Sequence, residues 1–156
     1  MMNLLSSIRP FLLLLAVFIT MVSAQDFRVD VHTHPVPAFF KDALVDAGYA
    51  TQGSEIVVDG FRTPNFTIEQ YIQEREEHGY NFSIQSVTAP GVSFLKGNRK
   101  ARELARRLND EMASYMKTYQ SQLGAFACLP LPDIEASLEE IRVSVIDIDI
   151  TLLGGR

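Results

Sequence analysis

The chain has 156 residues and a formal net charge of -5, the length of one domain and a charge sign that disfavours nucleic acid as main partner, since phosphate binding needs a basic face. Hydrophobic residues make up 47%, which excludes a disordered chain and gives enough material for a modest core. The one cysteine, Cys128, excludes an intrachain disulfide, and in "AFACLP" it reads as a small core residue with no base beside it to make it a nucleophile.

The amino terminus reads as a leader. Arg9 precedes the uncharged run "FLLLLAVFITMV", and small residues follow at Ser23 and Ala24. That pattern is a secretory signal peptide over 1–24, cleaved after Ala24, with an uncleaved signal anchor as runner-up. The run is short against the roughly 20 residues of a membrane span, so no stable membrane association is expected after cleavage. Residues 25–156 then form the folded domain, directed to the secretory pathway or the exterior. Two sequons, at Asn65 and Asn81, matter only on that route. The Asn81 sequon is expected at the start of a buried strand, where glycan attachment is disfavoured.

"FRVDVHTH" alternates with period two. Phe27, Val29 and Val31 are expected on one face of a strand, Asp30, His32 and His34 on the other. "PVP" ends it. "FFKDALVDAG" suits a short helix stopped at Gly48. "SEIVVDGFRTP" suits a small hairpin turning at Asp59 and Gly60. "TIEQYIQEREEHG" is a helix with Thr67 and Gln70 at capping-box spacing and an apolar stripe of Ile68, Tyr71 and Ile72. "YNFSIQSVTAP" is a strand and "GVSFLKG" a loop. "NRKARELARRLNDEMASYMKTY" is the strongest helix, its apolar residues recurring at i, i+3 and i+4; its basic run reads as a solvated face and its methionines as core. "LGAFACLP" is a strand, and "PDIEASLEEIRVS" a helix capped by Asp133. "VIDIDITLL" reads as a fourth strand with open edges, which invites pairing with another copy and makes a homodimer possible.

Strands alternating with helices mean parallel pairing through helical crossovers. An open doubly wound sheet and a (β/α) barrel both qualify, and both place ligands at the strands' carboxyl ends. His32 and His34 sit at such an end. Residues i and i+2 of a strand point the same way, so both imidazoles can address one ion, and Asp30 can orient His32. Imidazole favours zinc and similar metals, and a catalytic zinc takes three protein ligands plus water or substrate. Two chance surface histidines beside Pro35 are the plain alternative.

These stretches resemble a known family. "FRVDVHTHPVP" is similar to the opening of amidohydrolase-related metal enzymes. "EHGYNFSIQSVTAPGVSFL", "ARELARRLNDEMASYMKTY" and "LGAFACLPLPDIEASLEEI" resemble successive blocks of its decarboxylase branch, which holds 2-amino-3-carboxymuconate-6-semialdehyde decarboxylase and fungal 6-methylsalicylate decarboxylase. The resemblance runs from residue 27 to about 145. It implies an α/β fold, the amino-terminal half of a (β/α)8 TIM-like barrel of the amidohydrolase superfamily, ending after the fourth strand. It implies zinc-dependent, non-oxidative decarboxylation of a small aromatic or unsaturated carboxylic acid such as 6-methylsalicylate. His32 and His34 become the first-strand Zn(2+) ligands, and Arg62 the group that holds the substrate carboxylate.

The chain departs from the pattern in three ways. No histidine follows His78, so the family's later proton-transfer histidine and third ligand histidine have no counterpart, nor does its late aspartate ligand. A (β/α)8 barrel needs about 250 residues. The family is also expected in the cytoplasm, against the leader. A truncated product follows as an expectation. A hydrolase of the wider superfamily, using a metal-bound hydroxide, and a catalytically dead secreted fragment are the alternatives. His78, at a helix end beside Gly79, reads as a structural surface residue.

Overall fold

A computed structural model describes residues 26–53, 55–63 and 65–146. The expected leader lies outside them, as does all but the first two residues of the strand expected in "VIDIDITLL".

The elements follow the expected alternation. Strand β1 (Val29–Thr33) leads to helix α1 (Ala38–Asp46). Short strands β2 (Thr51–Gln52), β3 (Glu55–Val58) and β4 (Phe61–Arg62) precede helix α2 (Ile68–Glu77). Strand β5 (Phe82–Gln85), a 3-10 turn (Ser93–Leu95), helix α3 (Arg99–Thr118), strand β6 (Leu123–Ala125) and helix α4 (Ile134–Ile146) complete the order. Strands β1, β5 and β6 form one sheet in that order, both pairings parallel. Strands β2, β3 and β4 form a separate antiparallel sheet.

Local chemistry explains most boundaries. Thr67 Oγ1 accepts the Gln70 amide at 3.2 Å, and Asn98 Oδ1 accepts that of Ala101 at 3.1 Å, so α2 and α3 start at capped ends. Asp133 Oδ1 caps α4 through the Ala136 amide at 3.0 Å. The β3–β4 turn holds Asp59 at φ 50 and Gly60 at φ 83, the pair of positive values a two-residue type I′ hairpin needs.

The core sits between α1, β3 and α3. Phe40 and Leu44 of α1 meet Ile56 and Val58 of β3 and Ala101, Leu104, Ala105 and Leu108 of α3, with Val36, Val92 and Cys128 in the same cluster. Each large apolar side chain so buried contributes roughly 1.5–3 kcal/mol. Ile68, Ile72 and Leu123 form a second cluster under α2. The methionine expectation holds at Met112, which is 1% exposed.

Two expectations need correction. Val145 and Ile146, read as the start of a strand, belong to α4. The basic run of α3 is not simply solvated: Arg102 pairs with Asp133 at 2.7 Å, Arg106 with Glu140 at 2.9 Å, and Arg107 lies 3.8 Å over the Phe39 ring. Helix α4 is held by its polar side. Ser137, Glu140 and Ser144 are buried, while Ile134, Leu138 and Ile141 are exposed.

Candidate functional site

The His32 and His34 Nε2 atoms lie 3.0 Å apart, the ring centroids 4.7 Å apart and the planes crossing at 75°. His34 Nδ1 lies 2.9 Å from the Ser86 carbonyl oxygen. A carbonyl only accepts, so the hydrogen bond there puts the proton on Nδ1 and leaves the His34 Nε2 lone pair facing His32 Nε2. Zinc–imidazole bonds are about 2.0–2.1 Å long. Two nitrogens 3.0 Å apart can therefore both reach one ion, and the Ser86 carbonyl supplies the kind of outer support that metal-binding histidines use. These donors fit a divalent metal. Among the described residues no group of three or more His, Cys, Asp or Glu gathers to hold an ion, so the described donor set is the histidine pair.

The strand places Asp30 differently from the expected alternation. Asp30 pairs opposite Ser83 and Thr33 opposite Gln85, three steps on β1 against two on β5. That is the count of a β-bulge: Asp30 shares a face with Thr33 and not with His32. Asp30 Oδ1 accepts the His32 backbone N–H at 3.0 Å, and Oδ2 accepts the Tyr71 hydroxyl at 3.3 Å. Asp30 thus holds the backbone of His32 rather than its ring.

Arg62 lies on β4 opposite Val57 and pairs with Glu55 at 3.6 Å, its side chain 59% exposed. It lines a cavity of about 430 Å³ together with His34, Val36, Val58, Phe61 and Thr88. The structure therefore brings Arg62 and His34, far apart in sequence, to one cavity. A guanidinium can grip a carboxylate there with two hydrogen bonds, and the valines and Phe61 offer apolar wall. His34 also lines a smaller cavity of about 230 Å³ with Tyr71, Gln70 and Glu74.

The remaining candidates fall elsewhere. His78 is exposed at the end of α2, its Nδ1 2.7 Å from the Glu74 carbonyl of the same helix. Cys128 is buried, and burial, helped by the charge of Glu140, pushes its thiol up to about 11. It is no thiolate at neutral pH. Asn81 is exposed and precedes β5 instead of starting it; its Oδ1 accepts the Arg28 amide at 2.8 Å. Asn65 is exposed and accepts from Lys41 Nζ at 3.1 Å.

Sequence reasoning missed Ser86 and Tyr71. Ser86 meets His34 Nδ1 with its carbonyl oxygen at 2.9 Å and its hydroxyl at 3.3 Å, and the nearer, backbone contact carries no residue-type signal. Tyr71 stands in the apolar stripe of α2, and its ring does pack in the Ile68–Ile72 cluster; only its hydroxyl reaches Asp30. Burial, the largest effect, raises its phenol above the usual value, so the hydroxyl stays a donor at neutral pH.

No family model matches the chain. The chain is 34% identical over 119 residues to the 6-methylsalicylic acid decarboxylase acuB of Aspergillus aculeatus, covering 76% of this chain and 34% of that protein. Among solved structures, an amidohydrolase II superposes with a TM-score of 0.68 at 27% identity, over 79% of this chain and 38% of that one. A 2,6-dihydroxybenzoate decarboxylase from Rhizobium superposes with a TM-score of 0.60 at 25% identity, over 80% of this chain and 36% of that one. The chain spans about a third of the length of the curated relative.

Proposed function

This chain is a relative of the amidohydrolase-fold decarboxylases in sequence and fold, and from that premise we propose that it serves non-oxidative decarboxylation of a small 2-hydroxybenzoic acid such as 6-methylsalicylate. In this reading His32 and His34 hold a divalent metal, zinc by the preference of imidazole, and Arg62 holds the substrate carboxylate. The observation that carries it is the convergence of the two Nε2 atoms at 3.0 Å, with His34 on the wall of the cavity that Arg62 also lines. No helix among the described residues is long and apolar enough to cross a membrane.

When bound, the metal supplies Lewis-acid polarisation of oxygen ligands. The chain's own residues do the rest. The Ser86 carbonyl keeps the His34 tautomer fixed, so its Nε2 presents a lone pair. The Arg62 guanidinium orients the carboxylate, and Val36, Val58 and Phe61 offer the ring an apolar wall. In the reaction the bond from ring carbon to carboxylate breaks, CO2 leaves with its two oxygens, and a proton takes its place on the ring.

The test joins metal binding with turnover. Wild-type chain is expected to bind added zinc in a competition titration, and the His32→Ala/His34→Ala double variant to bind none; equal zinc binding in both would sink the assignment. The two ligands found among the described residues hold an ion more weakly than three would. The chain alone is therefore expected to convert 6-methylsalicylate to 3-methylphenol slowly, and rapid zinc-dependent CO2 release would overturn that expectation. Secretory entry with cleavage after Ala24 remains part of the proposal. Sequencing the amino terminus of the expressed protein checks it, with Gln25 as the expected first residue.

A further inference from the structure

We propose that Asp30 and Tyr71 are a positioning pair that sets the bulge in β1 and thereby decides which face of the sheet the two histidines address. The proposal rests on the metal reading above for its purpose, but not for its geometry. In an unbroken strand, residues 30, 32 and 34 share one face. The face that carries Asp30 and Thr33 is the one α2 covers, since Thr33 is 8% exposed and Tyr71 of α2 reaches Asp30. A regular β1 would turn both imidazoles into that packed layer. The extra residue between Asp30 and Thr33 turns His32 out of that layer to an exposed position, and leaves His34 half-buried at the strand's end, at the edge of α2 beside Thr33 and Tyr71.

A bulge leaves the extra residue without its ladder bond. Here the Asp30 carboxylate takes the His32 N–H two residues on, a side-chain turn that competes with regular strand geometry. Its second oxygen is held by Tyr71 from a different element, so the carboxylate cannot rotate away without breaking a contact to α2. The ring of Tyr71 is itself fixed in the cluster with Phe66, 6.4 Å between centroids. Packing of α2 is thus linked through one carboxylate to the direction of the histidine pair.

The variants Asp30→Asn, Asp30→Ala and Tyr71→Phe separate the roles, read by hydrogen exchange of the His32 amide and by zinc competition titration. Asp30→Asn keeps an oxygen for the His32 amide and is expected to behave close to wild type. Asp30→Ala is expected to speed His32 exchange about tenfold or more and to weaken zinc binding about 10–100-fold, the usual cost of losing outer support. Tyr71→Phe should fall between. Unchanged His32 exchange in folded Asp30→Ala overturns the proposal, as does Asp30→Asn matching Asp30→Ala. Should Asp30→Ala fail to fold, Tyr71→Phe decides: faster exchange supports the pair and wild-type exchange refutes it. If wild type shows no zinc binding that depends on His32 and His34, the metal reading fails while the exchange result still judges the positioning.

Discussion

Asn109→Ala should be the most damaging polar substitution in the described chain. Asn109 is 0% exposed and bridges α3 to the segment after β6. Its Oδ1 accepts the Cys128 amide at 2.7 Å, and its Nδ2 donates to the Cys128 carbonyl at 3.0 Å and to Glu140 Oε1 at 2.8 Å. Its Nδ2 also lies 3.5 Å from Ser144 Oγ, so alanine removes these three bonds and that longer contact at once. Two buried backbone groups left without partners cost about 1–3 kcal/mol each, and a lost bond to a charged group about 1.5–3 kcal/mol. Arg106 still holds Glu140 through Nε at 3.1 and 2.9 Å, and water entering the vacated space would lower the cost. The expected loss is about 3–5 kcal/mol, a large share of the about 5–15 kcal/mol that stabilises a domain. Urea unfolding followed by circular dichroism measures it, with a slope typically about 1–3 kcal/mol per molar and a midpoint lower by about 2 M. A loss under about 1 kcal/mol would refute the network. A double cycle with Glu140→Gln should show a coupling above about 0.5 kcal/mol if the three groups act together.

Cys128 makes stability depend on pH at the alkaline end. Its folded value, about 11, lies above the ordinary 9.0, so the unfolded thiol ionises first and stability falls as pH rises from about 9 to 11. The contribution lost is of order 2–3 kcal/mol, and Cys128→Val should flatten that part of the pH profile; identical profiles would contradict it. Thr67→Ala removes the cap of α2 and should cost about 1 kcal/mol by thermal unfolding. Glu55→Gln frees Arg62 from its partly exposed ion pair, worth at most about 1 kcal/mol, and should tighten 6-methylsalicylate binding by about two- to fivefold in a calorimetric titration. Weaker binding in that variant would mean that Glu55 holds Arg62 in place instead of competing for it.

Much of the fold was legible because its signals are local. Caps at Thr67 and Asp133, the Asp59–Gly60 turn and the helical spacing of Ala101, Leu104, Ala105 and Leu108 each lie within a few residues. Their chemistry needs no distant partner. The same holds for the H-x-H spacing, which makes His32 and His34 neighbours on any extended strand. Helix α4 is the counterexample. Its sequence reads on as a strand from Val145, yet the helix runs to Ile146. Its buried side is Ser137, Glu140 and Ser144, because Asn109 and Arg106 on α3 supply partners that make a polar face the better one to bury.

The sequence by itself determined that a histidine pair stands at the carboxyl end of a first parallel strand, with an arginine on a hairpin downstream. Only the tertiary structure decided where that pair points and what it meets. The bulge depends on the register of β1 against β5, the His34 tautomer on a carbonyl across that pairing, and the shared cavity on how the β3–β4 hairpin folds back. Period-two alternation describes an isolated strand and carries no record of an inserted residue. That insertion is held by Tyr71 on another element, a bond spanning 41 residues of chain, which no local pattern encodes.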